Sequence, residues 1–186
     1  MSNIKIILVG LITLLSVPVF SQSSPYLSAL EIGPDIDIFF LQYNRKISAV
    51  DELVFGIAYQ NSEITRMIAY PGSQQLFSLE AAYRRFIWEG FHVEGLILPQ
   101  YLSCYENVNG KYTHGFGLVV ELRLGYQFNF VSWEVPWYLS LQLFAGYRLI
   151  NPKPQSFIHV DMGSFSADNG KFYTAPVPMF LFGFRF

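Results

Sequence analysis

The chain has 186 residues, of which 52% are hydrophobic, 18% aromatic and only 14% charged, with a formal net charge of −2. A soluble domain ordinarily carries about 25% charged residues, so these proportions argue against a conventional water-facing surface, and near-neutrality argues against a nucleic-acid-binding face. The one cysteine, Cys104, excludes an internal disulfide; it reads as a small interior residue rather than a reactive thiol.

Met1 to Ser21 carries Lys5, an apolar run from Ile6 to Leu15, then Val19 and Ser21 as small residues before Gln22. This is the pattern of a secretory signal peptide. Thr13, Ser16 and Pro18 interrupt the run, which falls short of the roughly 20 apolar residues of a spanning helix. Residues 22–186 are then one domain, with no second long apolar run.

Within that domain apolar residues recur with period two, which predicts strands. Eight are expected: Tyr26–Gly33, Ile36–Ile47, Leu53–Ser62, Gln75–Trp88, Gly90–Tyr105, Tyr112–Phe130, Trp137–Ile150 and Ala175–Phe186. The alternation is cleanest in the sixth. Phe116, Leu118, Val120, Leu122, Leu124, Tyr126, Phe128 and Phe130 share one face; Gly115, Gly117, Val119, Glu121, Arg123, Gly125, Gln127 and Asn129 share the other. In the last strand Phe180, Phe182, Phe184 and Phe186 form a row that would invite aggregation in water. Connections at one end are short (Ser48–Glu52, Trp88-Glu89-Gly90, Val131–Pro136), and those at the other are longer (Glu63–Gln74, Glu106–Lys111, Asn151–Thr174). The very short Gly33-Pro34-Asp35 turn is the exception. The expected fold is therefore all-β: an eight-stranded antiparallel transmembrane up-and-down β-barrel, apolar outside and polar inside.

The same parity turns Glu31, Glu80, Glu94 and Glu121 inward with Lys46, Arg84, Arg123, Arg148 and Arg185. Gln42, Asn44, Gln60, Ser78, His92, Ser140 and Gln142 face the same way. An interior of eight strands is just wide enough for side chains to fill. These charges are expected to pair as a structural network, with a small pore as the alternative. Trp88, Trp133 and Trp137 fall beside the short turns, where an aromatic girdle belongs.

Ala29-Leu30-Glu31-Ile32-Gly33, Tyr43-Asn44-Arg45, Gly90-Phe91-His92-Val93-Glu94-Gly95 and Leu124-Gly125-Tyr126-Gln127-Phe128 resemble segments of the small outer-membrane barrels of Bacteroidetes-type bacteria. In strand number the chain is similar to the OmpA/OmpX barrel class. Its last strand resembles the signal read by the barrel assembly machinery, although Leu181 stands where a glycine is usual and Gly183 is displaced. The resemblance implies a location, the outer membrane of a Gram-negative bacterium, and a fold, but no activity.

The expected function is a structural or interaction role in that membrane, with outer-membrane lipids, lipopolysaccharide and the assembly machinery as partners, an unknown partner at the outer loops, and no nucleic acid. No enzyme activity, cofactor or metal site is expected: there is no His-x-x-x-His, cysteine pair or Asp-rich loop. The enzymatic alternative is acyl transfer or hydrolysis on lipopolysaccharide, using His114, His159, Asp161, Ser156 and Ser164. The His-x-Ser-Asn pattern of lipid A deacylases is absent, and these residues read first as loop polar groups. Phe157, Ile158, Phe165 and Phe172 make Asn151–Thr174 unusually apolar for a loop, as a strand extension, a lid or a partner-binding surface would require. A soluble lipocalin-like barrel is disfavoured, since it would expose Glu80, Arg84, Glu121 and Arg123 and bury the aromatic rows.

Overall fold

The computed structural model describes residues 26–35, 38–64, 72–106, 110–130, 136–150, 172–174 and 178–186. The strands are β1 (Ser28–Asp35), β2 (Ile38–Lys46), β3 (Asp51–Ile64), β4 (Gly72–Trp88), β5 (Phe91–Glu106), β6 (Lys111–Asn129), β7 (Trp137–Ile150), β8 (Phe172–Thr174) and β9 (Met179–Arg185). From β1 to β7 each pairs antiparallel with the next, β8 and β9 both lie against β7, and β9 returns to β1. The sheet is thus a ring of eight strand positions, with β8 and β9 sharing one of them.

That shared position corrects the predicted eighth strand. Thr174 faces Ala145 and Tyr173 faces Gly146, so Phe172–Thr174 is strand rather than the end of a loop. Met179, not Ala175, opens β9, where it faces Gln142. The two ladders are out of register with each other, and Pro178 stands at the join with no N–H to donate. Other boundaries move as well: Pro34 and Asp35 pair with Phe39 and Ile38 as part of β1 instead of forming the expected turn, β3 runs on to Ile64 and β4 starts at Gly72, and β3 begins at Asp51, so Glu52 is a strand residue and not part of a turn.

The register fixes the tilt. From Ala81 on β4, one direction around the ring passes through Ile97 and Val120 to Tyr147 on β7. The other passes through Phe55, Tyr43, Leu30 and Phe184 to Trp137 on that same strand. The two arrivals lie ten residues apart, from 137 to 147. A stagger of that size over eight strands tilts them by roughly 40°. Every residue on this circuit is apolar and points outward; Leu30, Phe55, Ile97, Trp137 and Phe184 are among its exposed members. Inward-facing positions carry the fully buried side chains of Glu31, Gln42, Arg84, His92, Glu94 and Gln142, whereas the Asp51–Arg85 ion pair and Asn61, Gln75 and His114 lie on the outward face toward the two ends.

β4, β5 and β6 run for 17, 16 and 19 residues, whereas β1 and β2 run for 8 and 9. The wall is therefore uneven at the end away from the Trp88–Phe91 hairpin. That hairpin is tight because Glu89 (φ 36°) and Gly90 (φ 100°) both take the left-handed conformation that a two-residue turn needs. Cys104 is buried on β5, as expected.

Three inward rings each sit directly opposite a glycine: Tyr138 opposite Gly183, Tyr173 opposite Gly146, and His92 opposite Gly125. A Cβ on Gly183 would lie 2.0 Å from the Tyr138 ring. We expect Gly183→Ala to cost about 1–3 kcal/mol, read as a lower urea midpoint by tryptophan fluorescence. Gly110→Ala has open space around it and only the left-handed backbone to overcome, φ 61°, for about 1 kcal/mol.

Candidate functional site

Antiparallel register places residues directly opposite one another on the same face. One inward row crosses five strands in this way: Lys46, Glu52, Arg84, Glu94 and Arg123. Charge alternates in sign at every step. Arg84 occupies the centre. Its Nε donates to Glu94 Oε2 at 2.6 Å, while Nη1 and Nη2 donate across the ring to Glu31 Oε1 and Oε2 at 2.8 and 2.9 Å. Glu52 Oε2 lies 3.5 Å from Nη1. A planar fork on a carboxylate is the strongest geometry available to this pair.

Arg123 is the second centre. Its Nη1 donates to Glu80 Oε1 at 2.6 Å and to Glu94 Oε1 at 3.2 Å, and its Nε donates to Glu121 Oε2 at 3.1 Å. Glu94 thereby bridges the two guanidiniums. Glu80 Oε2 accepts from Gln42 Nε2 at 2.7 Å. Arg84, Glu31 and Glu94 are fully buried, where an unpaired charge would cost several kcal/mol.

Two tyrosines close the network. Tyr138 donates to Glu31 Oε1 at 2.7 Å, and the Arg185 guanidinium lies 4.5 Å from its ring centre. Arg185 also donates to Gln127 Oε1 at 2.7 Å. Tyr173 donates to Glu121, and Arg148 lies 4.8 Å from its ring centre. Beneath them, His92 Nδ1 must be the donor to Gly90 O at 3.1 Å, because a carbonyl can only accept. The amide oxygens of Gln42, Asn44 and Gln142 are buried with no protein donor.

The structure brings together Glu31, Glu80, Arg84, Glu94, Glu121 and Arg123 as the strand parity predicts. Lys46 ends the row, opposite Glu52; Arg148 and Arg185 cover the tyrosines. Glu52, Tyr138 and Tyr173 were not predicted members. Tyr138 shares its parity with Ser140 and Gln142, which is a legible signal; Glu52 and Tyr173 were lost to misplaced strand ends. With Glu52 added, five described carboxylates (Glu31, Glu52, Glu80, Glu94, Glu121) and five described cations (Lys46, Arg84, Arg123, Arg148, Arg185) belong to the inward set.

The interior is not polar throughout. Val54, Ala82, Leu96, Leu98 and Val119 form one apolar cluster, and Phe40, Ala58, Met179 and Leu181 another. Among the described residues no group of three or more histidine, cysteine or carboxylate side chains is placed to hold a metal ion. His159, Asp161, Ser156, Ser164 and Trp133 lie outside the described residues, as does the predicted signal peptide. His114 faces outward opposite Ser103, and its ring is stacked with Tyr101 and Tyr112 instead of bonding to that hydroxyl.

Removing one partner strands the others. We expect Arg84→Met to cost about 3–5 kcal/mol, and the double variant Arg84→Met/Glu31→Gln to cost less than the sum of its singles. Tyr138→Phe is expected to cost about 2 kcal/mol. Urea unfolding midpoints check all four variants; additive effects of Arg84 and Glu31 would contradict the network.

No protein-family model matches the chain, and neither a curated protein nor a solved structure matches it.

Proposed function

We propose that the protein is an integral outer-membrane β-barrel of a Gram-negative bacterium, delivered by a signal peptide at residues 1–21, with a structural or interaction role and no catalytic one. The observation that carries this reading is the inverted distribution of polarity. The circuit of apolar residues from Trp137 through Leu30, Phe55 and Ile97 to Tyr147 faces outward, while the fully buried ion pairs of Arg84 and Arg123 face inward. In hydrocarbon this arrangement would pair ladder groups around the ring and the inward charges of the network with one another. The roughly 40° tilt falls in the range of such barrels.

Other features agree. Trp88, Trp137, Phe184 and Phe186 are exposed at the end with the tight hairpin, and Trp137 packs 4.9 Å from Phe184. This is where an interfacial girdle would lie. Phe180, Phe182, Phe184 and Phe186 all remain exposed on the outer face, available to outer-membrane lipids and to the barrel assembly machinery. A filled and charge-matched interior supports a structural barrel over a small pore. The resemblance of its segments to small Bacteroidetes-type and OmpA/OmpX-like barrels points the same way.

Heat-modifiable migration of protein from an outer-membrane fraction tests the class. A substitution tests the solvent. Ile97 is 52% exposed in the middle of the outward circuit, and Ile97→Arg should cost about 2–4 kcal/mol in lipid vesicles. Gln75→Arg, outside the apolar band, should cost roughly 0–1 kcal/mol. If Ile97→Arg is as neutral as Gln75→Arg, that face meets water and the membrane reading is wrong.

A further inference from the structure

On the tall side of the ring the outward face changes character abruptly. The row Tyr59, Phe77, Tyr101 and Phe116, one residue from each of β3 to β6, is aromatic throughout and exposed. The next outward row toward the open end is Asn61, Gln75, Ser103 and His114. Every side chain in it can hydrogen-bond, and none is a carboxylate, a lysine or an arginine. Beyond it Tyr105 faces Tyr112, with ring centres 4.6 Å apart.

Tyr101 and Tyr112, on either side of this polar row, share one orientation with His114 within it. Tyr101 and His114 lie 5.9 Å apart with planes 12° from parallel, and His114 and Tyr112 lie 6.4 Å apart at 10°. Tyr101 is 51% exposed and Tyr112 is 64% exposed. Hydrocarbon would not tolerate four hydrogen-bonding side chains in a row. Neither these rings nor the row between them includes a lysine or an arginine, so the surface suits the hydroxyl and C–H faces of sugars rather than their phosphate or carboxylate groups. Saccharides match both halves of the pattern: their C–H faces stack on aromatic rings, and the hydroxyls at their rims pair with amide, hydroxyl and imidazole groups.

We propose that Tyr101, Ser103, Tyr112 and His114, with Asn61 and Gln75, form a docking surface for the sugars of outer-leaflet lipopolysaccharide. The choice of source rests on the membrane reading above. The polar row continues directly from the apolar band, and in an outer leaflet the sugars begin where the acyl chains end.

The test uses the full chain, purified and folded, and the core oligosaccharide released from lipopolysaccharide by mild acid. The probe carries no lipid, so its binding does not depend on the membrane reading, which Ile97→Arg addresses separately. Saturation transferred from the protein's aromatic protons to the sugar is expected for the native chain. Tyr101→Ala/Tyr112→Ala should weaken binding roughly tenfold, and Tyr101→Phe/Tyr112→Phe should retain most of it. His114→Ala serves as a second, smaller lesion. Heat-modifiable migration checks that each variant is folded. No transfer with the native chain, or equal binding by the alanine double variant, overturns the proposal.

Discussion

Two guanidiniums hold carboxylates drawn from five strands: Arg84 and Arg123 between them engage Glu31 on β1, Glu52 on β3, Glu80 on β4, Glu94 on β5 and Glu121 on β6. Ions removed from water each carry a penalty of several kcal/mol, so this pairing must be met before the rest of the ring can be stable. It is met only if every strand from β1 to β6 keeps its register. A slip of one residue turns each charge outward and each aromatic inward. The stagger of the ring and the inward position of Arg84 are therefore two expressions of one constraint.

Space is the second demand. The interior of eight strands is narrow, and the network includes two tyrosines and a nearby histidine. Glycines at 183, 146 and 125, each directly across the ladder from one of these rings, make the room. Apolar clusters around Leu98 and Leu181 fill what the charges leave. In the proposed setting, this is an interior built for rigidity, with the functional surface displaced to the outer face of the tall strands.

Strand faces were legible because period two is strict where one side must be apolar and the other polar, as from Phe116 to Phe130. The inward set Glu31, Glu80, Arg84, Glu94 and Arg123 follows from that parity alone. Strand ends were not legible. Glu52 follows a turn-like Ser48-Ala49-Val50-Asp51 segment, yet Asp51 already pairs with Arg85. Tyr173 was hidden behind two prolines that break its strand from the next. Cross-strand neighbours such as Tyr138 and Gly183 depend on register, which no local pattern encodes. The proposed docking face depends on it too, since Ser103 and His114 become neighbours only across the ladder.

Among the described residues, the joint between β1 and β9 is paired from Ala29 to Ile32, with Ser28 and Phe186 exchanging two further backbone bonds, while β5 is paired with β6 along its whole length. Backbone bonding alone would make it a weak seam. Yet Tyr138, which sits beside β9, reaches Glu31, and Arg84 reaches Glu31 from the opposite wall. An unclosed sheet would leave the Glu31 carboxylate without either partner. Closure thus ties the first strand to β7 and β4 through a charge as well as to β9 through the ladder, and a half-closed chain gains little of that stabilisation. The consequence is cooperativity: assembly of this ring should be nearly all-or-none, with the ends of the chain committing together.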